Sequence, residues 1–160
     1  IGPDLKTLSI RKATIKDSLL YWHWANDSVV RENSLNQQVI ELKNHKAWFK
    51  KRLNNTNTTL FLIESDHHPI GQVRFDCLSS NCTINYSLAK QFRKFNLGMI
   101  ILSKAIDCLG RNHTFTLIGK IRGNNKASIK VFERLGFSEI ADKKKCDIHH
   151  FELQLTSIKF

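Results

Sequence analysis

Carboxylates are what this sequence is short of. Asp and Glu number 14 against 25 Lys and Arg, leaving a formal charge of +11. That balance favours an anionic partner: nucleic acid, a phosphorylated cofactor or an acidic membrane surface. Proline is nearly absent, with 2 residues, and glycine is scarce, with 7. With apolar residues at 41%, the composition excludes a disordered chain. No apolar run reaches the ~20 residues that a membrane span needs. The opening residues IGPDLK lack the apolar core of a signal peptide. A cytoplasmic location is therefore expected. The four cysteines, at 77, 82, 108 and 146, form no disulfide framework. Free thiols in a reducing compartment are the expectation. No second close cysteine pair accompanies 77 and 82, so no metal site is expected. Zinc-finger spacing, a Gly-rich single-strand signature and a basic recognition helix are all missing, which argues against nucleic acid as the partner.

What is present reads as one domain over 1–160. The chain starts at Ile1 without Met, which is expected of a piece of a longer protein. LSIRK at 8–12 alternates like a strand. Thr14 and Asp17 have the spacing of a helix cap. The helix behind them places Leu20, Trp24 and Leu19 on one side and stops near Asn26–Asp27. A polar stretch follows, in which VVREN makes a short turn. Residues 42–53 form a second helix, with Leu42, His45, Trp48, Phe49 and Leu53 at spacings of three and four. The period then changes. Residues 60–64, 70–77 and 82–88 read as three strands of an antiparallel meander, with turns at 65–69 and 78–81. Gln72, Arg74 and Asp76 share one face of their strand, and Thr83, Asn85 and Ser87 share one of theirs. A helix over 97–109 carries Leu97, Ile100, Ile101, Lys104, Ala105 and Cys108 on one stripe. A strand at 115–121, a helix at 125–135 closed by Gly136, and strands at 137–141 and 148–155 complete the chain, the last two separated by the basic turn ADKKKCD. The helices of the second half follow strands, so the fold is α/β (α+β) with a mixed sheet and about four helices.

Two segments carry chemistry. In QFRKFNLGMIIL, 91–102, a basic turn runs into an apolar helix through Gly98. Free N–H groups at a helix start bind anions, and glycine permits close approach. In IRGNNKASIKVFERLGF, 121–137, a strand leads through two Asn into a helix ending in Leu-Gly-Phe. Together they resemble the GNAT family of acyl-CoA-dependent N-acyltransferases. Arg93, Asn96 and Gly98 match that family's Arg/Gln-x-x-Gly-x-Gly/Ala element, with Asn in place of the first Gly. Asn125, Ser128, Phe132, Gly136 and Phe137 match its second element, with Phe132 where many members have a Tyr that serves as general acid. The resemblance implies acetyl-CoA as acyl donor. It implies that Leu88, Arg93, Lys94, Phe95, Asn96, Leu97, Gly98, Met99, Asn125, Ser128 and Phe132 hold it, with the pantetheine between two splayed strands. Acyl transfer needs an amine positioned, an oxyanion stabilised and two protons managed. The N–H groups near Ser87 and Leu88 are the oxyanion candidates. Tyr86, Asp76, Glu32 and His45 are the titratable candidates for handling the protons, Tyr86 and Asp76 first among them.

The pattern WHWANDSVVRENS…HKAWF, with IGQVRFD, is similar to acetyltransferases of amino sugars on nucleotide carriers, as in pseudaminic or legionaminic acid pathways. It implies Trp24, Asn26, Arg31, Asn33, His45, Trp48 and Arg74 near a nucleotide-linked amino sugar, beside Asp76. Such domains also occur fused behind a nucleotide-sugar hydrolase, so a homodimer or a fusion to a larger enzyme is expected. Acetylation of a protein N-terminus, such as a ribosomal protein, is the enzymatic alternative. Non-enzymatic binding of CoA or of nucleic acid is the other.

Overall fold

The computed structural model describes residues 2–110, 114–140 and 147–156. Seven strands form one sheet: β1 (Leu8–Lys12), β2 (Thr58–Ser65), β3 (His68–Leu78), β4 (Asn81–Leu88), β5 (Phe115–Arg122), β6 (Ser138–Ile140) and β7 (Ile148–Leu155). Their order is β1-β2-β3-β4-β5-β7-β6. Only β4 and β5 run parallel; the other neighbours are antiparallel. Among the described residues there are five α-helices: α1 (Ser18–Ala25), α2 (Ser28–Asn33), α3 (Leu42–Leu53), α4 (Leu97–Leu109) and α5 (Lys126–Arg134). The short VVREN turn is thus a helix in its own right.

The sheet has a core on each face, as the alternation of strand side chains requires. Phe61, Ile63, Val73, Phe75 and Ile84 pack with Ile101, Leu102 and Ala105 of α4 and Phe132 of α5. Leu60 and Leu62 point the other way and pack with Tyr21 of α1 and Phe49 of α3. Tyr21 donates its hydroxyl to the Phe61 carbonyl at 2.7 Å, which ties α1 to the sheet. Leu19 is 49% exposed; Tyr21, with Leu20 and Trp24 beside it, is the inward side of that helix.

Three sequence readings need correction here. Asp66 and His67 both take positive φ, so the β2–β3 turn needs only two residues. Pro69 then falls inside β3, opposite the register shift at Ile63/Glu64, where the irregular pairing accommodates a missing N–H. Cys77 and Cys82 are disulfide-bonded, not free. They are direct cross-strand partners with Cα atoms 4.0 Å apart, a consequence of the tight β3–β4 hairpin that the spacing of five residues conceals. Cys108 is free but exposed, off the inward stripe of α4, which runs through Leu102 instead. Cys146 and most of the basic turn, 141–146, lie outside the described residues.

One departure from regular pairing matters most. β4 and β5 are in register only from Asn81↔Thr116 to Thr83↔Ile118. Beyond that point Ile84–Leu88 and 119–122 have no partners in each other, and the strands part. The antiparallel half of the sheet and the β5–β7 pair are both complete, so the sheet opens at one place only among the described residues.

Candidate active site

The opening leads into a cleft of about 1210 Å³ that crosses the sheet from α2–α3 to α5. Of the sequence-predicted site residues it is lined by Trp24, Arg31, Asn33, His45, Trp48, Arg74, Tyr86, Ser87, Leu88, Arg93, Asn96, Leu97, Gly98, Met99, Asn125, Ser128 and Phe132. Asn26, Asp76, Lys94 and Phe95 are not in its lining. The residues at 90–95, expected as a turn, form a 3-10 helix.

The α4 end is built for close approach. Asn96 adopts the left-handed conformation, φ 53° and ψ 30°. Asn reaches that region more readily than other side-chain-bearing residues, which is how it can replace glycine here. No side chain caps the helix, so its first N–H groups have no side-chain partner, and Leu97, Gly98 and Met99 line the cleft. Gly98 is buried under α5: a Cβ there would stand 3.2 Å from Val131 Cγ2 and 3.6 Å from the Tyr86 hydroxyl. Tyr86, on β4, bonds Ser128 on α5 through its hydroxyl at 2.8 Å. Burial is the main influence on this phenol and raises its pKa, against the opposing bond to Ser128. It therefore keeps its proton at neutral pH. Asn125 caps α5, accepting from the Ser128 N–H at 3.2 Å. Phe132 is 2% exposed and stacks edge-on with Phe137, directly beneath Gly119.

The end of β4 is held by Arg93. Its Nε donates to the Leu88 carbonyl at 3.1 Å, and its Nη2 pairs with Asp27 at 2.8 Å. The Ala89 N–H donates to the Ile70 carbonyl of β3. Because amide direction alternates along a strand, the Ser87 N–H also faces β3, while those of Tyr86 and Leu88 face the gap. Of the two oxyanion candidates, Leu88 has the suitable direction and Ser87 does not. Ser87 instead presents its hydroxyl to Gln72, at 3.3 Å, beside Asn85 at 2.9 Å from the same amide.

Several polar residues read as substrate ligands are engaged inside the protein. Asn26 clasps residue 40 from both sides, donating to the Ile40 carbonyl and accepting its N–H, each at 2.8 Å. Arg31 donates to the carbonyls of Ala25, Asn36 and Gln38 and to Ser34. It staples the loop after α2 rather than facing a ligand. Asp76 accepts from Arg52 at 3.0 Å, Arg74 at 2.8 Å and Thr58 at 3.1 Å. Its oxygens are taken up by these three partners, and it lies outside the cleft lining. Arg74 is different. Its Nε donates to Asp76, and its guanidinium lies over Trp48 at 5.0 Å, on the cleft lining.

Charge is distributed one way. The lining contains Arg31, Arg74, Arg93, Lys120, Lys126, Lys130 and Arg134, and among the described residues no Asp or Glu. Lys126, Lys130 and Arg134 recur every four residues on one stripe of α5. Sequence reasoning missed them; their spacing was visible, but their place on the cleft rim depends on the tilt of α5 against β5.

Splayed strands, an uncapped helix start with a glycine in its first turn, and a cationic rim make a groove suited to an extended, phosphorylated thioester. Residues 7–138 match the acetyltransferase (GNAT) domain model. The chain belongs to that family: it is an acetyl-CoA-dependent acetyltransferase. No curated protein matches the sequence. Solved structures share the fold at low identity. The spermidine N-acetyltransferase of Vibrio cholerae with CoA and spermine aligns with TM-score 0.83 and 12% identity, over 95% of this chain and 98% of that one. A ribosomal L7/L12 α-N-protein acetyltransferase with CoA gives 0.81 and 14%, over 98% of both. A putative acetyltransferase of Salmonella typhimurium with acetyl-CoA gives 0.74 and 20%, over 93% and 94%. No helix among the described residues is long and apolar enough to cross a membrane.

Proposed function

We propose that this domain, 1–160, transfers the acetyl group of acetyl-CoA to the primary amine of a nucleotide-linked amino sugar. The observation that carries the reading is the acceptor end of the cleft, where Arg74 lies over Trp48 and no described carboxylate is in the lining. A polyamine such as the spermidine that one structural neighbour acts on would find no counter-charge there. A nucleotide diphosphate would find Arg74, held flat on Trp48. Cation–π contact and the Asp76 bond keep the guanidinium in one orientation, which favours a planar two-point grip on a phosphate. Trp24 supplies an apolar wall, and Asn85, Gln72 and Ser87 supply partners for hydroxyls. At the donor end, Leu88 gives an N–H to the acyl oxygen and the α4 amides face the pyrophosphate. Tyr86 returns a proton to the departing thiolate, in the role that Phe132 cannot fill. An acetyl-CoA-dependent reaction of this kind belongs in the cytoplasm.

A protein N-terminus is the second reading. Val29, Leu35 and Val39 stand exposed at the mouth, at 43%, 52% and 80%, and would suit a peptide side chain. Turnover measured by free-thiol release separates the two readings. A uridine-diphosphate-linked amino sugar, as a probe of that class, is expected to be acetylated, and spermidine and an amino-terminal peptide not. Turnover of spermidine alone would overturn the charge argument.

A further inference from the structure

An amine that attacks a thioester must first lose a proton, and the cleft has few groups to take it. No described carboxylate lines it. Asp76 and Glu32 lie off the lining, and the Tyr86 phenol holds its own proton. His45 is the one imidazole among the described lining residues. It is 3% exposed, on the inward side of α3 beside Trp48 and stacked on Phe49.

Its environment sets its tautomer. Nε2 lies 2.8 Å from the backbone carbonyl of Ser18, at the start of α1. A carbonyl only accepts, so Nε2 carries the hydrogen. In the neutral ring the lone pair is then on Nδ1, which meets no donor among the described residues. From these contacts we propose that His45 is the general base of the transferase, with the Ser18 carbonyl as its orienting partner. Nδ1 takes one proton from the ammonium group of the acceptor. The freed amine nitrogen attacks the acetyl carbon, the carbon–sulfur bond breaks, and the thiolate leaves with the bonding pair. The thiolate gains a proton, the new amide loses its extra one, and His45 releases the first to solvent. The balance is acceptor ammonium plus acetyl-CoA to amide, CoA thiol and one proton.

The carbonyl also favours the imidazolium once it forms, because Nε2–H remains a donor in both states. Burial works the other way and is the larger influence, so the resting ring is neutral. The ionisable groups on the elements packed against α3 include Asp17, Tyr21 and His23 on the α1 side, Glu64 on β2 and Arg74 on β3. Asp17 and Glu64 are paired with Arg11, and Arg74 with Asp76. None is a free carboxylate that would hold His45 protonated.

The proposal rests on the acetyltransfer reading, and two measurements keep the two separable. First, the nitrogen-15 spectrum of the whole chain reports the His45 tautomer without any acceptor. Hydrogen on Nε2 and a bare Nδ1 at neutral pH is expected; hydrogen on Nδ1 overturns the base. Second, His45→Gln keeps a donor for the Ser18 carbonyl but cannot take a proton. With the uridine-diphosphate amino sugar as probe, kcat/KM is expected to fall about 100-fold at neutral pH. The deficit should shrink as pH rises toward the amine's own pKa, while acetyl-CoA affinity stays at the wild-type value. A deficit that is the same at every pH, or none, overturns the proposal and leaves the acceptor assignment standing. If the wild type acetylates none of the probes, the acceptor assignment fails and the tautomer alone decides the base.

Discussion

The two walls of the cleft are built from similar residues and differ in how many remain available. On the α1–α3 wall, Asn26, Arg31 and the neighbouring Asp76 are occupied by bonds within the protein. On the β4–α4–α5 wall, the start of α4 has no side-chain cap, and Leu88, Lys126, Lys130 and Arg134 line the cleft. The first wall is a scaffold that presents a few groups, Arg74 and His45 among them. The second is a receptor along most of its length. A polar residue in the sequence therefore says little about ligand contact until the bonds it makes within the protein are counted. On the proposed assignment the second wall takes acetyl-CoA, the donor common to the family, and can be backbone-built, whereas the first takes the acceptor and must be individually shaped.

The largest expected effect tests the receptor wall. Gly98→Val would place methyls where a Cβ is already 3.2 Å from Val131 and near Tyr86. Acetyl-CoA affinity should fall about 100-fold, about 2.7 kcal/mol, with the circular dichroism of the wild type retained. Calorimetric titration reads this directly, and unchanged affinity would remove the α4 groove from the donor site. Next comes the scaffold wall. Arg31→Ala strips four hydrogen bonds from the loop after α2. Stability should drop by about 2 kcal/mol, read as a lower Tm, and acceptor KM should rise while acetyl-CoA affinity holds. A variant with normal Tm and a raised KM would make Arg31 a ligand after all, and the contrast between the walls would blur.

Much of this contrast was legible before the structure, and the illegible part has a common cause. Strand and helix positions follow hydrophobic period, so α3, α4, β1 and β7 fall at the expected residues. The left-handed Asn96 follows from residue type, and the splay of β4 from β5 matches the family resemblance. Partner choice is another matter. Arg31 and Arg74 look alike in sequence, yet one meets three carbonyls and the other a tryptophan face. The difference lies in the path of the loop at 34–41, which no local pattern specifies. The Cys77–Cys82 bond has the same origin: it depends on hairpin register rather than on cysteine count.

Tyr86→Phe makes a smaller change on the receptor wall. The ring stays and only the hydroxyl bonded to Ser128 goes. If Tyr86 protonates the thiolate, kcat should fall about 10-fold, about 1.4 kcal/mol, with acetyl-CoA affinity unchanged. Burial raises this phenol's pKa, so the wild-type rate should hold through the ordinary tyrosine range and decline only above it. An alkaline decline that persists in the Phe variant would belong to another group.

The smallest effect concerns the foot of the scaffold wall. Asp17 heads α1, accepting from Arg11 through both oxygens at 2.9 Å and from the Thr14 N–H at 2.7 Å. The Arg11 bond is the main cause of its lowered pKa, with burial opposing. A carboxylate whose folded pKa is depressed adds stability above its ordinary pKa, and that stability is lost as pH falls through the folded value. The wild type should therefore lose stability progressively below about pH 4, and Asp17→Asn should flatten that slope. Arg11 is 40% exposed on its side chain, so solvent screens the pair and the difference at neutral pH should stay near 1 kcal/mol or below. Urea melts across pH 3 to 7 measure it. An unchanged acid slope would mean that another carboxylate carries it. Asp27, on the Arg93 clamp that joins the scaffold wall to the receptor wall, is the next to replace, because its loss would loosen both walls at once.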